Sequence, residues 1–329
     1  MKYVMGIDQG ASKTLVIIGN EYGQVLGFGK SYGACHTNTG IEYAMNAVKE
    51  AMEYALEQAG IKLEDITALA AGMTGVDWEY EGQLLKEGLK NITGIKKVFV
   101  VNDCIIAMRA GTNQNYGAVL CAGSGLNCAV RDKEGKEFVY GFYIDEEYQG
   151  GSALGKACMR SVIDAQVGLE EKTLLTQMLL KKFECKNVDQ LLYKKVTGEI
   201  TQQDYLSLPM VLEEAARLGD KAAKDILYRF GWQWGRFVSA AIKNMGMLEK
   251  EIDVVLSGSI FKCREPELKK GVIDQLAQDA PLAKIVDATF EPVVGAFLLA
   301  LENISEEIEN CISNIESSSE NFPLKRAME

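Results

Sequence analysis

Histidine and paired cysteines are what this sequence most lacks. One histidine, His36, occurs among 329 residues, and the eight cysteines include no C-x-x-C pair. A structural zinc site or a disulfide framework is therefore not expected, and the cysteines are interpreted as small buried side chains. Because an imidazole is available at only one position, a general base in this protein is expected to be a carboxylate.

Basic residues and long apolar runs are also scarce. The 46 acidic residues outnumber the 35 basic residues, which argues against nucleic acid or an anionic membrane surface as the main partner. No run approaches the roughly 18 apolar residues that a membrane span needs, and the opening segment MKYVMGIDQG lacks the apolar core of a signal peptide. We expect a cytoplasmic protein with a well-buried core and enough length for two domains.

The first half of the chain predicts the element order βββαβαβα, and the second half repeats it. Strand-like runs KYVMGI, KTLVIIG and VLGFGK precede a helical pattern over 41–58, and GAVLCAG, LNCAVRD and EFVYGF precede another from Ser152. In each half a tight turn joins the second and third strands, NEYGQ in the first and DKEGK in the second. Two copies of one α/β unit is the economical interpretation, and the alternative is a coincidence between ordinary α/β patterns.

These patterns divide the chain into an N-terminal domain over 1–115 and a C-terminal domain over 116–303. Within the second domain, residues 168–250 are predicted to form a helical insertion with Asp220 as the N-cap of its last helix. Apolar positions in that helix keep a three-to-four spacing and are predicted to be core: Ile226, Leu227, Phe230, Trp234, Phe237, Val238, Ala241 and Ile242. The last segment, 304–329, begins as an amphipathic helix and loses its apolar pattern at a serine run. A disordered end of about a dozen residues is predicted there.

The segment MGIDQGASKT, residues 5–14, places glycine, lysine and threonine after an apolar strand. It is not a mononucleotide P-loop, because that motif needs adjacent Gly-Lys, and a plain turn between strands is the alternative to a phosphate loop. Its counterpart in the second half is AGSGLN, residues 122–127, and a pseudo-two-fold axis would place the two turns on opposite sides of one ligand. Glycine lets a backbone approach an anion closely, and hydroxyls add further donors. The candidate phosphate-binding residues are Gly10, Ala11, Ser12, Lys13, Thr14, Gly123, Ser124 and Gly125.

A carboxylate, Asp103, stands directly after the predicted strand VFVVN and before a helix. Open α/β sheets bind ligands at the carboxyl ends of their parallel strands, so Asp103 is a candidate active-site residue, with an ordinary helix cap as the alternative. In the second half, VVLSGS ends a strand with small residues, which suits a flat base lying against the backbone. Gly295, in EPVVGAFL, is placed for close packing of the last helix.

Five motifs, GIDQGASKT, VNDCIIA, LCAGSGLNC, VVLSGSIF and EPVVGAFLLA, occur in this order. Together they resemble the sugar kinase, heat-shock 70 and actin superfamily. They are most similar to its branch of N-acetylglucosamine and glucosamine kinases and BadF/BadG/BcrA/BcrD-type ATPases. The resemblance covers about residues 3–302 and implies two ribonuclease H-like, actin-like ATPase domains with a cleft between them.

The resemblance also implies roles for individual residues. Asp8 would hold hydrated Mg²⁺ beside the first phosphate loop, and Gly258 and Ser259 would contact the adenosine of ATP. Asp103 would be the base that takes the proton from an acceptor hydroxyl, which fits phosphoryl transfer, a reaction that depends mainly on alignment and charge neutralisation. The candidate acceptor-binding residues are Asn38, Asn102, Asn127 and Gln149. The expected partner is a sugar or amino sugar, and a homodimer is one expected assembly.

The sequence departs from the sugar-kinase pattern in one segment. Sugar kinases of this branch carry a segment like G-W-G-x-x-x-G-D-E-G-S there. This chain has YGFYIDEEYQGGS instead, with Gln149 and Gly150 at the two acidic positions. The loss of a carboxylate that accepts hydrogen bonds from sugar hydroxyls weakens the selectivity of the pocket for its sugar. N-acetylglucosamine is therefore in question as the acceptor. The acidic segment 145–147 could supply a replacement or form a solvated loop. Two other functions remain open, an ATPase coupled to a protein partner and an actin-type scaffold, and His36 is interpreted as structural.

Overall fold

The computed structural model describes residues 1–305 and 308–326. The strands are β1 (Tyr3–Gln9), β2 (Lys13–Asn20), β3 (Val25–Tyr32), β4 (Ile66–Met73), β5 (Lys97–Asn102), β6 (Gly117–Ala122), β7 (Leu126–Arg131), β8 (Glu137–Val139), β9 (Ile252–Ser257) and β10 (Ala283–Asp287). The helices of the first half are α1 (His36–Thr39), α2 (Ile41–Ala59), α3 (Glu79–Thr93) and α4 (Asp103–Gly111). Those that follow are α5 (Gly150–Gln166), α6 (Leu174–Lys182), α7 (Val188–Val196), α8 (Gln202–Leu206), α9 (Leu208–Arg217), α10 (Lys221–Asn244), α11 (Pro266–Asp279), α12 (Pro292–Glu302) and α13 (Glu309–Ser318). None of these helices is long and apolar enough to cross a membrane.

The two halves form two five-stranded sheets with the same topology. The first sheet has the order β3-β2-β1-β4-β5, and the second has β8-β7-β6-β9-β10. In each sheet the first three strands of the half pair antiparallel and the last two join parallel to the first strand. The predicted α/β class and its repeated βββαβαβα order are confirmed.

The turn between the second and third strands is built alike in both halves. Gly23 and Gly135 share a backbone φ of 83° and donate to the carbonyls of Asn20 and Asp132. The side-chain oxygens of Asn20 and Asp132 accept the backbone N–H four residues later, at 3.1 and 2.8 Å. A positive φ is what glycine supplies without steric cost, so the two turns repeat both the sequence pattern and its physical cause.

The helical insertion packs through the residues predicted for its core. Asp220 begins α10 by accepting a hydrogen bond from the backbone N–H of Ala223 at 2.8 Å, as predicted for an N-cap. The predicted core positions are all buried: Ile226, Leu227, Phe230, Trp234, Phe237, Val238, Ala241 and Ile242. Their spacing covers one face of α10, which lies against α5, α9 and α11 and against β6 and β7 of the second sheet.

Helix α12 belongs to the second half in sequence but packs on the first sheet. At Gly6 of β1 a β-carbon would overlap the backbone of Phe297, and at Gly295 it would overlap the carbonyl oxygen of Ile106 in α4. The close packing predicted for Gly295 is therefore present, between α12 and α4. The boundary between the predicted domains 1–115 and 116–303 remains a prediction, since α12 contacts the sheet of the other half.

The segment after α13 is ordered up to residue 326, which differs from the predicted disorder. Leu324 is fully buried, Phe290 pairs with Lys325 in a β-bridge, and Arg326 donates to the carbonyl oxygen of Leu256 at 3.0 Å. The serine run continues α13, and the hydroxyls of Ser317 and Ser318 donate to carbonyl oxygens four residues earlier, which satisfies them within the helix. The remainder of the predicted disordered end, residues 327–329, lies outside the described residues.

Candidate active site

The parallel strands β1, β4 and β5 end together at one edge of the first sheet. Their register aligns Gln9 with Met73 and Met73 with Asn102. Asp8 therefore lies beside the ends of the strands that precede Thr74 and Asp103. At Gly72 a β-carbon would overlap Ile106, so the missing side chain allows α4 to approach the sheet.

Asp103 is the first residue of α4 and is partly buried at this edge. Burial and the neighbouring Asp77 carboxylate raise its pKa to about 6. Hydrogen bonding to the Thr74 side chain and to backbone N–H groups at the start of α4 lowers the pKa and partly offsets this increase. A carboxylate with a raised pKa in a polar cleft has the properties of a general base near neutral pH.

Asp103 is not the cap of the helix that it begins. The neighbouring Asn102 holds that position, with an extended backbone, and accepts the backbone N–H of Cys104 at 2.9 Å. Its amide also donates to the carbonyl oxygen of Val76 at 2.9 Å. The predicted acceptor-binding residue Asn102 is thus buried and engaged in capping, which leaves the Asp103 carboxylate available to the cleft.

Asp8 is buried beside Asp103. Burial raises its pKa to about 7, the charges of Asp103 and Glu291 add to the increase, and Lys13 opposes it. A buried carboxylate among negative charges suits a cation, so the residues present are compatible with the hydrated Mg²⁺ predicted for Asp8.

These raised pKa values predict how stability depends on pH. The pKa of Asp8 is about 7 in the folded protein and 3.8 in the unfolded chain, so the folded state binds more protons between pH 3.8 and about 7. The free energy of unfolding therefore falls as pH rises through that window. We expect Asp8→Asn to be more stable than the wild type at pH 8 and to lose this advantage toward pH 5, as measured by urea unfolding of the ligand-free protein. The control is Glu146→Gln, at an exposed position. If the difference in free energy of unfolding between Asp8→Asn and the wild type were the same at pH 8 and pH 5, the raised pKa of Asp8 would be contradicted.

The first predicted phosphate loop is a tight turn closed by a hydrogen bond from Gly10 N–H to the carbonyl oxygen of Lys13 at 2.9 Å. Ala11 and Ser12 are exposed at its tip, whereas Thr14 is buried and its hydroxyl donates to Tyr32 O at 2.8 Å. The Thr14 hydroxyl is thus engaged with backbone, and the tip offers Ser12 and the loop N–H groups to a ligand.

Lys13 connects this loop to the second half of the chain. Its ammonium lies 3.1 Å from a carboxylate oxygen of Glu291, the residue just before α12. The Lys13 side chain is 43% exposed, so this ion pair is weakened by solvent, and the lysine can move toward a phosphate at small cost.

The second predicted phosphate loop is held against the start of α5. Gly151 N–H donates to the carbonyl oxygen of Gly123 at 2.8 Å, while Ser124 and Gly125 are exposed. Gly150 has φ of 54°, and a β-carbon there would overlap the carbonyl oxygen of Gly125. Glycine at position 150, where the sugar-kinase pattern has glutamate, is therefore required by this close approach.

The predicted adenosine-binding residues lie next to this loop. At Gly258, where φ is 98°, a β-carbon would overlap the carbonyl oxygen of Ala122, and the Ser259 hydroxyl lies 4.0 Å from the position of a β-carbon at Gly123. Arg326 donates to the carbonyl oxygen of Gly258 and thereby supports the loop from outside. No sequence pattern indicated a role for Arg326, because the segment that carries it was predicted to be disordered.

The remaining acceptor-binding candidates differ in how freely their side chains can reach a ligand. Asn38 is exposed in α1, and the hydrogen bonds found for the described residues include none from its side chain. The Asn127 side-chain oxygen accepts Gly141 N–H at 2.9 Å. Gln149 uses both ends of its amide, accepting Leu126 N–H and donating to the carbonyl oxygen of Ile144, each at 3.2 Å. Gln149 thus braces the second loop.

One residue at this edge was missed by the sequence reasoning. Asp77 lies between β4 and α3, and its Oδ1 is 3.4 Å from the Asn102 amide nitrogen. Glu81 fixes the segment by accepting the backbone N–H groups of Asp77 and Trp78, both at 2.9 Å. His36 lies 3.9 Å from the other oxygen of Glu81, which agrees with its structural interpretation.

A family model provides the identification. The model of the BadF/BadG/BcrA/BcrD ATPase family matches residues 5–300. The chain belongs to this family. Membership of an ATPase family indicates ATP as the nucleotide of this protein.

Within the BadF/BadG/BcrA/BcrD family, the chain is similar to proteins named as amino-sugar kinases. It is 26% identical to an N-acetyl-D-glucosamine kinase of Dictyostelium discoideum over 91% of this chain and 98% of the relative. It is 25% identical to an N-acetylmuramic acid/N-acetylglucosamine kinase of Clostridium acetobutylicum over the same shares. A crystal structure of a candidate N-acetylglucosamine kinase from Chromobacterium violaceum superimposes with a TM-score of 0.67 at 20% identity, covering 91% of this chain and 99% of that one. That likeness confirms the predicted two-domain fold.

Proposed function

We propose that this protein transfers the γ-phosphate of ATP to a hydroxyl group of a sugar or amino sugar, with Asp103 as the general base. The observation that carries the proposal is the Asp103 carboxylate, which begins α4 at the carboxyl ends of the parallel strands and has a pKa raised to about 6. The two relatives named above as sugar kinases support the same reaction, since each aligns over 98% of its length.

In the proposed reaction the acceptor hydroxyl donates its proton to the Asp103 carboxylate as its oxygen bonds to the γ-phosphorus, and ADP leaves with the electrons of the broken P–O bond. The N–H groups of the two glycine loops and the Lys13 ammonium would bind the phosphates. Asp8 would hold Mg²⁺ through water, and the ion would offset negative charge on the phosphates. Asn38 and Asn127 would contact the acceptor, which requires Asn127 to share its oxygen with Gly141 N–H.

A panel of acceptors tests this function. We expect ADP release from ATP and Mg²⁺ to rise at least about tenfold when the right sugar or amino sugar is added, because an aligned acceptor replaces slow hydrolysis by water. Each reaction is compared with one that lacks acceptor, and the phosphorylated sugar is identified by mass spectrometry. Rapid ATP hydrolysis that no sugar changes would instead favour an ATPase that acts on a protein partner.

A further inference from the structure

Asp77 is held at the meeting point of the two halves of the chain. Its backbone and that of Trp78 are fixed by Glu81 on one side, and the Asn102 amide contacts its carboxylate on another. The carboxylate itself has this single 3.4 Å hydrogen bond among those found for the described residues. Its orientation is thus set mainly by the backbone, while most of its hydrogen-bonding capacity is left for a ligand.

The second half reaches Asp77 through the segment 141–143. Gly141 has φ of 44°, and a β-carbon there would lie 2.8 Å from Asp77 Oδ1. The N–H of the same glycine is bound to Asn127, the predicted sugar contact. The residues that follow Asp77 and Gly141, Trp78 and Phe142, stack on each other with ring centroids 6.3 Å apart and planes 11° from parallel. Asp77 therefore lies close to Asn127 in space, although the two residues come from different halves.

Asp77 is also electrostatically coupled to the general base. Among the neighbouring charges, that of Asp77 has the largest effect in raising the pKa of Asp103. The pKa of Asp77 is itself raised, by burial and by the charge of Glu81, and His36 opposes the increase. The negative charge of Asp77 disfavours the ionised form of Asp103, and a cation bound to Asp77 would relieve that effect.

The acidic candidates from the sequence do not occupy this place. Asp145 caps the short 3₁₀-helix 146–148 by accepting Glu147 N–H at 3.0 Å, and Glu146 and Glu147 are exposed. Gln149, at a position that is acidic in the sugar-kinase pattern, is engaged with the second loop. Asp77 is the carboxylate that the structure brings to Asp103 and Asn127.

We propose that Asp77 selects the acceptor by pairing with its ammonium group, so that the preferred substrate is an amino sugar with a free amine. The inference rests on the proposed kinase function. An N-acetyl group would present a neutral amide N–H and glucose a neutral hydroxyl, and each would form a weaker hydrogen bond with the Asp77 carboxylate than an ammonium does. Trp78 and Phe142 would pack against the apolar edge of the sugar.

The test compares kcat/KM for glucosamine, N-acetylglucosamine and glucose in the wild type and in Asp77→Asn. The wild type is expected to prefer glucosamine to the other two sugars by about 30-fold, the effect of one hydrogen bond between charged groups. Asp77→Asn should lower kcat/KM for glucosamine about 30-fold, mostly through KM, and change the value for glucose by less than about threefold. Retained glucose turnover shows within the same variant that the fold and the base are intact. The matched control is Glu146→Gln, which removes an exposed carboxylate three residues before Gln149. It should leave kcat/KM unchanged for all three sugars.

The outcomes separate this inference from the proposed function. If the wild type phosphorylates N-acetylglucosamine as well as glucosamine, or if Asp77→Asn lowers all three values equally, the role of Asp77 is refuted while the kinase function stands. If the wild type phosphorylates none of the panel, the proposed function fails, and the inference fails with it.

Discussion

Replacement of Asp103 by asparagine is expected to lower acceptor phosphorylation by about 10³-fold, within the range that general bases contribute, while ATP binding changes by less than about threefold. Asparagine has nearly the shape of aspartate and still offers an oxygen to the Thr74 side chain. It cannot accept the proton of the acceptor hydroxyl. The variant also removes a buried negative charge beside Asp8, so its folded state should not be weakened.

The measurement pairs two assays on the same preparation. Phosphorylated sugar is quantified under saturating ATP and Mg²⁺, and ATP affinity is measured by calorimetry. Asp189→Asn, at an exposed position of α7 in the helical insertion, is the control and should behave as the wild type in both assays. Acceptor phosphorylation that survived in Asp103→Asn at more than about a tenth of the wild-type rate would rule out Asp103 as the base.

The sequence was most informative where local patterns determine the structure. Alternating and continuous apolar runs fix strands, and the glycines of the NEYGQ and DKEGK turns supply the positive φ that each turn needs. The repeat of these patterns is why the two sheets could be predicted to share one topology. Asp103 could be placed because a residue that follows a parallel strand must lie at the edge where ligands bind.

Adjacent polar residues were harder to assign. Asn102 and Asp103 are both good helix caps, so the sequence could not decide which one caps α4 and which one faces the cleft. The decision depends on the backbone at Asn102, which is extended with φ −63° and ψ 146°. That conformation puts the cap one residue earlier and makes Asp103 the first residue of the helix.

Contacts between distant segments were beyond local patterns. The fold brings Gly141 and Asn102 into contact with Asp77, and nothing in MTGVDW indicates either contact. The prediction of a disordered chain end was wrong for a related reason. The serine run and the polar residues around Leu324 gave no apolar pattern, and the segment of Leu324 is ordered by backbone hydrogen bonds with residues 289–291. The backbone bond from Glu291 N–H to the carbonyl oxygen of Leu324, at 2.8 Å, links this segment to the partner of Lys13.

Gly295→Ala is expected to destabilise the protein by about 3 kcal/mol, because one methyl group would separate two helices that touch through their backbones. A β-carbon at Gly295 would overlap the carbonyl oxygen of Ile106 and lie 2.8 Å from the backbone nitrogen of Ala110. Neither atom can move without shifting α4. Since α4 carries Asp103 at its first residue, activity at low temperature should fall together with the unfolding midpoint.

Gly82→Ala in α3 is the matched control for this prediction. It is also a glycine inside a helix, but its added β-carbon would meet only Val76 Cγ1 at 3.6 Å, an ordinary contact. Alanine is the better helix former by about 1 kcal/mol, so Gly82→Ala should be neutral or slightly stabilising in urea unfolding. If both variants unfolded alike, the loss at position 295 could not come from the α4–α12 contact. A loss of stability confined to Gly295→Ala would show that α4, which carries the proposed base, and α12 can pack this closely only because residue 295 has no side chain.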